Sequence, residues 1–228
     1  MTSSRLPGKV LMDVEGIPMI GRQLERIKKA KLVDEIVVAT SVDSSDDELV
    51  EYVENFGVSV QRGPLQDVLQ RFIEVLDVYD FRDVVRLTAD CPLADSDVID
   101  GTIEMYLNSN FDYVSNTLAR TYPRGLDVEV FNDRVLREVA KNDVSAMSRE
   151  HVTYGIYTRA KLYSTANFSQ KPSFADCRWT VDTQDDLDFV RHVYKNLYYT
   201  STNFRQGEIL KWLEKYPEYA HYETGEFS

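Results

Sequence analysis

Three short apolar runs, DEIVVAT (residues 34–40), VSVQ (58–61) and DVVRLT (83–88), decide the fold class, because each is parted from the next by a segment of helical period. A polar helical stretch runs from about Ser45 to Asn55. A second carries its apolar residues at Val68, Leu69, Phe72, Ile73 and Leu76, and a third spans Ser96 to Leu107. Spacings of three and four mark helix, whereas short β-branched runs mark buried strand. Repeated strand–helix–strand units with short connections form a largely parallel sheet covered by helices on both faces. The expected fold is α/β, a doubly wound, mostly parallel sheet.

Outward from this centre the pattern loosens. Asp112 to Asn116, Leu126 to Phe131, Lys161 to Ala166 and Arg178 to Val181 read as strands; Asp133 to Lys141 and Arg149 to Thr158 read as helices, followed by helices at Gln184 to Leu197 and about Gly207 to Tyr216. This half is expected to be a mixed-sheet extension of one domain: 1–116 as the nucleotide-binding part, 117–200 as the acceptor-binding part, 201–228 as a C-terminal helix and tail. Before the centre, Thr2 to Lys9 reads as a loop with a helix from about Ile17 to Lys31 behind it. Such a loop normally follows a strand, and none precedes it here.

Composition narrows the function. With 43% hydrophobic residues and only ten Gly and seven Pro in 228, the chain folds around a core. Its 26 Lys and Arg against 38 Asp and Glu give a formal charge of -12, which disfavours a nucleic-acid partner that must shed counterions onto basic residues. No stretch approaches the ~20 apolar residues of a membrane span, and the expected location is cytoplasmic. Cys91 and Cys177, with three His, make neither a disulfide framework nor a four-ligand zinc site, and are expected as reduced thiols in or near the core.

Five segments carry candidate chemistry. Ser3-Ser4-Arg5-Leu6-Pro7-Gly8-Lys9 sets a small-residue turn between two cations, suited to polyphosphate but equally to a basic surface loop; it lacks the GxxxxGK[ST] pattern of a Walker A loop. In VRLTADCPL, Asp90 ends an apolar strand, where open α/β sheets place ligands; Asp95 and Ser96 are better placed to cap the next helix. In RWTVDT, Asp182 again ends a strand, although Asp182 or Thr183 would serve as an ordinary N-cap. Two carboxylates at strand ends are the hard oxygen donors that Mg²⁺ takes alongside water and phosphate. In YPRGLDVEVF, Asp127 and Glu129 share a strand face that is either solvated or turned into a cleft, and SREHV opens a helix. Arg124, Arg149 and His151 are candidates for recognising a hydroxyl or carboxylate.

Taken in order, SSRLPGKVLMDVEGIPMI, DEIVVAT, RGPLQDVLQRF, VRLTADCPL, SNTLARTYPRGLDVEVF, SREHVTYGIY and RWTVDTQDDLDFV resemble the SpsF-type spore-coat polysaccharide biosynthesis family of cytidylyltransferases, over Thr2 to about Leu197. The resemblance implies a nucleotide-diphospho-sugar transferase fold and a Mg²⁺-dependent transfer of CMP from CTP to an acidic or modified sugar, with pyrophosphate released, for surface polysaccharide. It implies Arg5 and Lys9 on the triphosphate as catalytic groups with Asp90, and Asp90 with Asp182 on the metal. The nucleotide pocket would add Ala39, Thr40, Ser41, Arg62, Gly63 and Arg71, the last orienting either a phosphate or the base wall. Arg124, Asp127, Glu129, Glu150 and His151 would line the acceptor pocket, and a homodimer is compatible.

One departure stands out. Relatives place an apolar first strand ahead of the phosphate loop, and Met1 stands where it should already have ended. Its two neighbours would be left with open backbone groups, each costing about 1–3 kcal/mol if buried unsatisfied. Either a product starting upstream of Met1 or a shortened, weakened chain is therefore expected. A same-fold glycosyltransferase would want an acidic pair close in sequence after a strand, where VRLTADCPL offers one acid. A non-catalytic nucleotide or sugar binder is the other alternative.

Overall fold

The computed structural model describes residues 5–220, and the elements below belong to that span. Ser3, Ser4 and the aromatic tail beyond Ala220 lie outside the described residues.

The chain opens with a hairpin, β1 (Asp13–Val14) against β2 (Ile17–Pro18), whose two-residue turn has both Glu15 (φ 53°) and Gly16 (φ 83°) left-handed. That is the turn whose twist matches paired strands. The helix expected from Ile17 therefore starts later, as α1 (Met19–Ile27), directly after Pro18. Then come β3 (Val37–Ser41), α2 (Asp47–Asn55), β4 (Ser59–Gly63), α3 (Val68–Val78), β5 (Asp83–Arg86) and α4 (Ser96–Leu107). β3 and β4 pair in parallel, as the alternation predicts. The second half supplies β6 (Tyr113–Ser115), β7 (Glu129–Asn132), α5 (Asp133–Asn142), α6 (Ala146–His151), α7 (Tyr154–Tyr157), β8 (Thr165–Asn167), α8 (Gln184–Leu197) and α9 (Gln206–Lys215).

The α/β class holds, and the extension is the mixed sheet expected of it. Its order is β5-β7-β6-β8: β7 runs antiparallel to β5 and β6, and β6 parallel to β8. Three expected elements differ in detail. The strand at Lys161 to Ala166 forms only at Thr165–Asn167. Arg178 to Val181 makes a single parallel bridge, Arg178 to Arg124, in place of a strand. The helix from Arg149 to Thr158 breaks into α6 and α7 at Val152, a fully buried residue held at φ 49°, a conformation that β-branched side chains rarely adopt.

β3 and β5 are not hydrogen-bonded to each other. A cavity of about 410 Å³ separates them, lined by Val37, Val38 and Ala39 on one side and Val84, Val85 and Arg86 on the other. Among the described residues each of these strands is paired along one edge only, β3 with β4 and β5 with β7, and the edges facing this slot carry no strand pairing.

Polar struts cross behind the slot. Helix α1 buries nearly every residue although Arg22, Gln23 and Arg26 are among them. Arg22 Nε donates to Val14 O (2.9 Å), and its guanidinium stacks on Tyr198 (4.2 Å). Gln23 Nε2 donates to Thr88 O (2.7 Å), and Arg26 to Ala94 O (2.6 Å) and Phe204 O (2.9 Å). Buried cations are tolerated when their donors find acceptors; Gln23 and Arg26 bind the loop from 88 to 94 to the helix, and Arg22 binds the hairpin before it. Hydrogen exchange followed by mass spectrometry should find amides of β7, paired on both edges, protected longest and those of β5 exchanging earlier; equal protection would contradict the open edge.

Candidate active site

The 88–94 loop and the chain's opening turn meet at one place. Gly8 takes the left-handed conformation (φ 71°), which costs glycine no Cβ clash, and starts a short 3-10 turn, Lys9–Leu11. Lys9 Nζ donates to Val181 O (2.6 Å) and to Asp182 Oδ1 (2.9 Å). The other oxygen of Asp182 receives Arg5 (3.1 Å) and Arg178 (2.7 Å). Burial alone would raise the Asp182 carboxyl, but the hydrogen bond and charge of Lys9, the bond from Arg178 and the charge of Arg5 outweigh it and hold the carboxyl below its ordinary value.

Asp182 is available for these cations because its neighbours cap the helix. Thr183 is the N-cap of α8, its hydroxyl accepting from Asp186 N (3.3 Å), while the Asp186 carboxylate accepts from the backbone N of Asp182 and Thr183 (2.8 Å each). The same division of labour holds at Asp90, where Asp95 caps α4. Val181 N donates to Asp90 O (2.9 Å), so the two acids, ninety-two positions apart in sequence, stand on adjoining chain segments. Asp90 Oδ1 accepts from Thr88 Oγ1 (2.5 Å) and Cys91 Sγ (3.4 Å); burial, then the Asp90 charge, pushes the Cys91 thiol up and keeps it a neutral donor. Cys91 and Cys177 are both free and buried.

A cavity of about 760 Å³ opens beside this cluster. Lys9, Ala39, Thr40 and Arg71 line it, as does Glu150, joined by Ala89 next to Asp90 and by Asp46 and Arg149. Ser41 is buried and hydrogen-bonds Asp46 through its hydroxyl (2.6 Å). Arg62 turns away: it donates to Ser41 O (2.8 Å) and Asp43 O (2.9 Å) and pairs with Asp47 (2.7 Å). Gly63 is buried too, and a Cβ there would come within 2.7 Å of Arg71 Cγ and 2.3 Å of Glu74 Oε2. Its bareness makes room for α3 side chains.

The remaining acceptor candidates do not line this cavity. Glu129 is buried and bound to Arg86, Tyr113 Oη (2.6 Å) and Thr153 Oγ1 (2.5 Å). Asp127 is held by both terminal nitrogens of Arg120 (2.5 and 2.9 Å). Arg124 fixes the backbone, its N donating to Cys177 O (2.9 Å) and its O accepting from Trp179 N (2.7 Å). His151 is exposed at the end of α6. The sequence alone does not mark out Asp46, within the polar helical stretch from about Ser45, or Arg178, within a strand-like run, although the structure places both here. The four-residue step from Arg178 to Asp182 was the signal for the latter.

Among the described residues no cluster of three or more His, Cys, Asp or Glu is placed to hold a metal. Two carboxylates on adjoining segments are nonetheless the donor set that Mg²⁺ uses, since it fills the rest of its shell with water and phosphate oxygen.

Comparison with known proteins bears on this geometry. A family profile described as cytidylyltransferase matches residues 1–213. An uncharacterized protein of Methanocaldococcus jannaschii is 35% identical over 95% of this chain and 88% of its own length. The spore coat polysaccharide biosynthesis protein SpsF of Bacillus subtilis is 29% identical over 86% of this chain and 83% of its own. A cytidylyltransferase structure from Leptospira borgpetersenii superposes with TM-score 0.91 at 28% identity, covering 100% of this chain and 95% of that one. A CMP:2-keto-3-deoxy-manno-octonic acid synthetase complexed with CTP shares the fold, with TM-score 0.65 at 18% identity over 85% of this chain and 94% of that one.

Gly125, at φ 108°, lets residues 124 and 177–180 lie together: a Cβ would stand 2.7 Å from the Trp179 carbonyl carbon and 2.9 Å from Thr180 N. Gly125→Ala should therefore lower stability by about 2 kcal/mol or more in denaturant titration; an unchanged midpoint would show that this backbone contact does not seat Asp182.

Proposed function

This chain belongs to the cytidylyltransferase family, and from that premise we propose that it transfers CMP from CTP to the hydroxyl of an acidic or modified sugar, with Mg²⁺, for surface polysaccharide assembly. One observation carries the reading: Arg5 and Lys9 both pair with Asp182, the segment bearing Asp182 is hydrogen-bonded to the one bearing Asp90, and Lys9 and Ala89 line the 760 Å³ cavity beside them.

The reaction asks for positioning and charge rather than covalent catalysis. A sugar oxygen attacks the α-phosphorus in line, the bond to the β-phosphate oxygen breaks, and pyrophosphate leaves. Arg5 and Lys9 neutralise the triphosphate, exchanging their bonds to Asp182 for bonds to phosphate oxygens. Freed of these cations, the Asp182 carboxylate remains oriented by Arg178, which is itself tied to Asp186 (3.4 Å). Asp90 and Asp182 would hold Mg²⁺, which when bound supplies charge stabilisation for the transferring phosphate. Arg149 and Glu150, on α6, line the same cavity as Ala39 and Thr40 and are the groups that would orient the acceptor.

Asp90→Asn removes a carboxylate without removing volume. It should abolish most pyrophosphate release from CTP, by a factor of 100 or more, with an unchanged melting curve. Turnover at the wild-type rate would dismiss Asp90 from the chemistry. Assaying CTP, UTP, GTP and ATP in parallel tests the base, and CTP should lead.

A further inference from the structure

The two acids of the site use their oxygens differently. Asp182 holds cations on both, Lys9 on Oδ1 and Arg5 with Arg178 on Oδ2. Asp90 Oδ1 instead accepts from two uncharged donors of its own segment, Thr88 Oγ1 (2.5 Å) and Cys91 Sγ (3.4 Å). Among the described residues its Oδ2 has no partner, and no Lys or Arg pairs with this carboxylate. One oxygen is saturated by neutral groups and the other stands open.

This clasp is built on fixed backbone. Thr88 O accepts from Gln23 Nε2 (2.7 Å), Asp90 O from Val181 N (2.9 Å) and Cys91 O from Ala94 N (3.1 Å). Gln23 and Cys91 are buried, so neither the strut nor the thiol is free to drift. Thr88 Oγ1 and Cys91 Sγ stand 3.4 Å apart, which puts both donors on one side of the same oxygen. Turning the carboxylate would cost both bonds at once. Donors of this kind, one step out from a metal, orient the ligating oxygen and tune its affinity.

Resting on the proposed Mg²⁺-dependent use of CTP, we infer that Thr88 and Cys91 are positioning residues that decide which divalent ion the site accepts, by offering Asp90 through Oδ2 alone. A carboxylate presented by one oxygen suits Mg²⁺, which demands near-octahedral geometry at about 2.0–2.1 Å and fills its other positions with water and phosphate. Ca²⁺ is larger, takes roughly six to eight oxygens and readily grips a carboxylate by both. To serve Ca²⁺ in that way, Oδ1 must shed the hydroxyl and the thiol. The clasp therefore works against the larger ion and leaves the smaller one undisturbed.

Calorimetric titration of CTP into the protein in excess Mg²⁺ and, separately, in excess Ca²⁺ reads the preference as a ratio of dissociation constants. The wild type should bind the Mg²⁺ form at least about tenfold more tightly. Thr88→Val removes the hydroxyl at nearly constant volume and should cut that ratio about tenfold, the lower end of what outer-shell changes do to metal affinity. Cys91→Ala should move it the same way. Thr88→Ser and Cys91→Ser keep a donor and should keep the wild-type ratio. Both ions are tested on one preparation, so a partly unfolded variant lowers the number of sites and not the ratio. A merely structural role would weaken both forms together; an unchanged ratio in Thr88→Val and Cys91→Ala, or a wild type without preference for Mg²⁺, would overturn the inference. A wild type that binds CTP with neither ion would overturn the functional reading itself.

Discussion

One carboxylate organises the site. Asp182 receives Lys9 on one oxygen and Arg5 and Arg178 on the other, and these cations come from sequence positions up to 177 residues away. A buried or half-buried charge is stable only when paired and hydrogen-bonded, so the opening loop, the 177–182 segment and the start of α8 are obliged to meet. The obligation extends inward through Thr183 and Asp186, which take over the helix cap and leave Asp182 for the cations. It extends sideways through the Val181 to Asp90 backbone bond.

The scaffold behind this cluster is held by polar contacts as well as by packing. Gln23 and Arg26 clasp the two ends of the loop bearing Asp90, and Arg22 clasps the hairpin before α1. These bonds act across a region where β3 and β5 do not pair. A sheet interrupted there lacks its shortest route for coupling the β3–β4 pair to the four-stranded sheet, and α1 with its buried arginines provides another.

Much of the fold was legible in residues 34–107, since period and length distinguish helix from strand where each element buries one face. Legibility failed where a local choice overrode period. Glu15-Gly16 forms a two-residue hairpin turn, and Pro18 delays α1; the helical spacing of the residues downstream hid both. Val152 breaks a helix that its apolar neighbours would continue, and the break brings the Thr153 hydroxyl onto Glu129. In the site, Asp90 and Asp182 could be read as strand-end acids, and Lys9, Ala39, Thr40 and Arg71 do line one cavity. What could not be read was partnership. Glu129 and Asp127 looked like acids on an open face until Arg86 and Arg120 were seen beside them, because ion pairs between distant segments leave no trace in spacing.

The opening loop is tethered to Asp182 by two bonds of unequal shelter: the Arg5 side chain is 64% exposed, that of Lys9 13%. Dissolved electrolyte screens the outer tether within a Debye length of about 10 Å at 0.1 M and hardly reaches the inner one. Rising ionic strength thus loosens the loop from its outer end while Lys9 stays as a pivot, so the surrounding salt tunes how tightly the opening loop closes on Asp182.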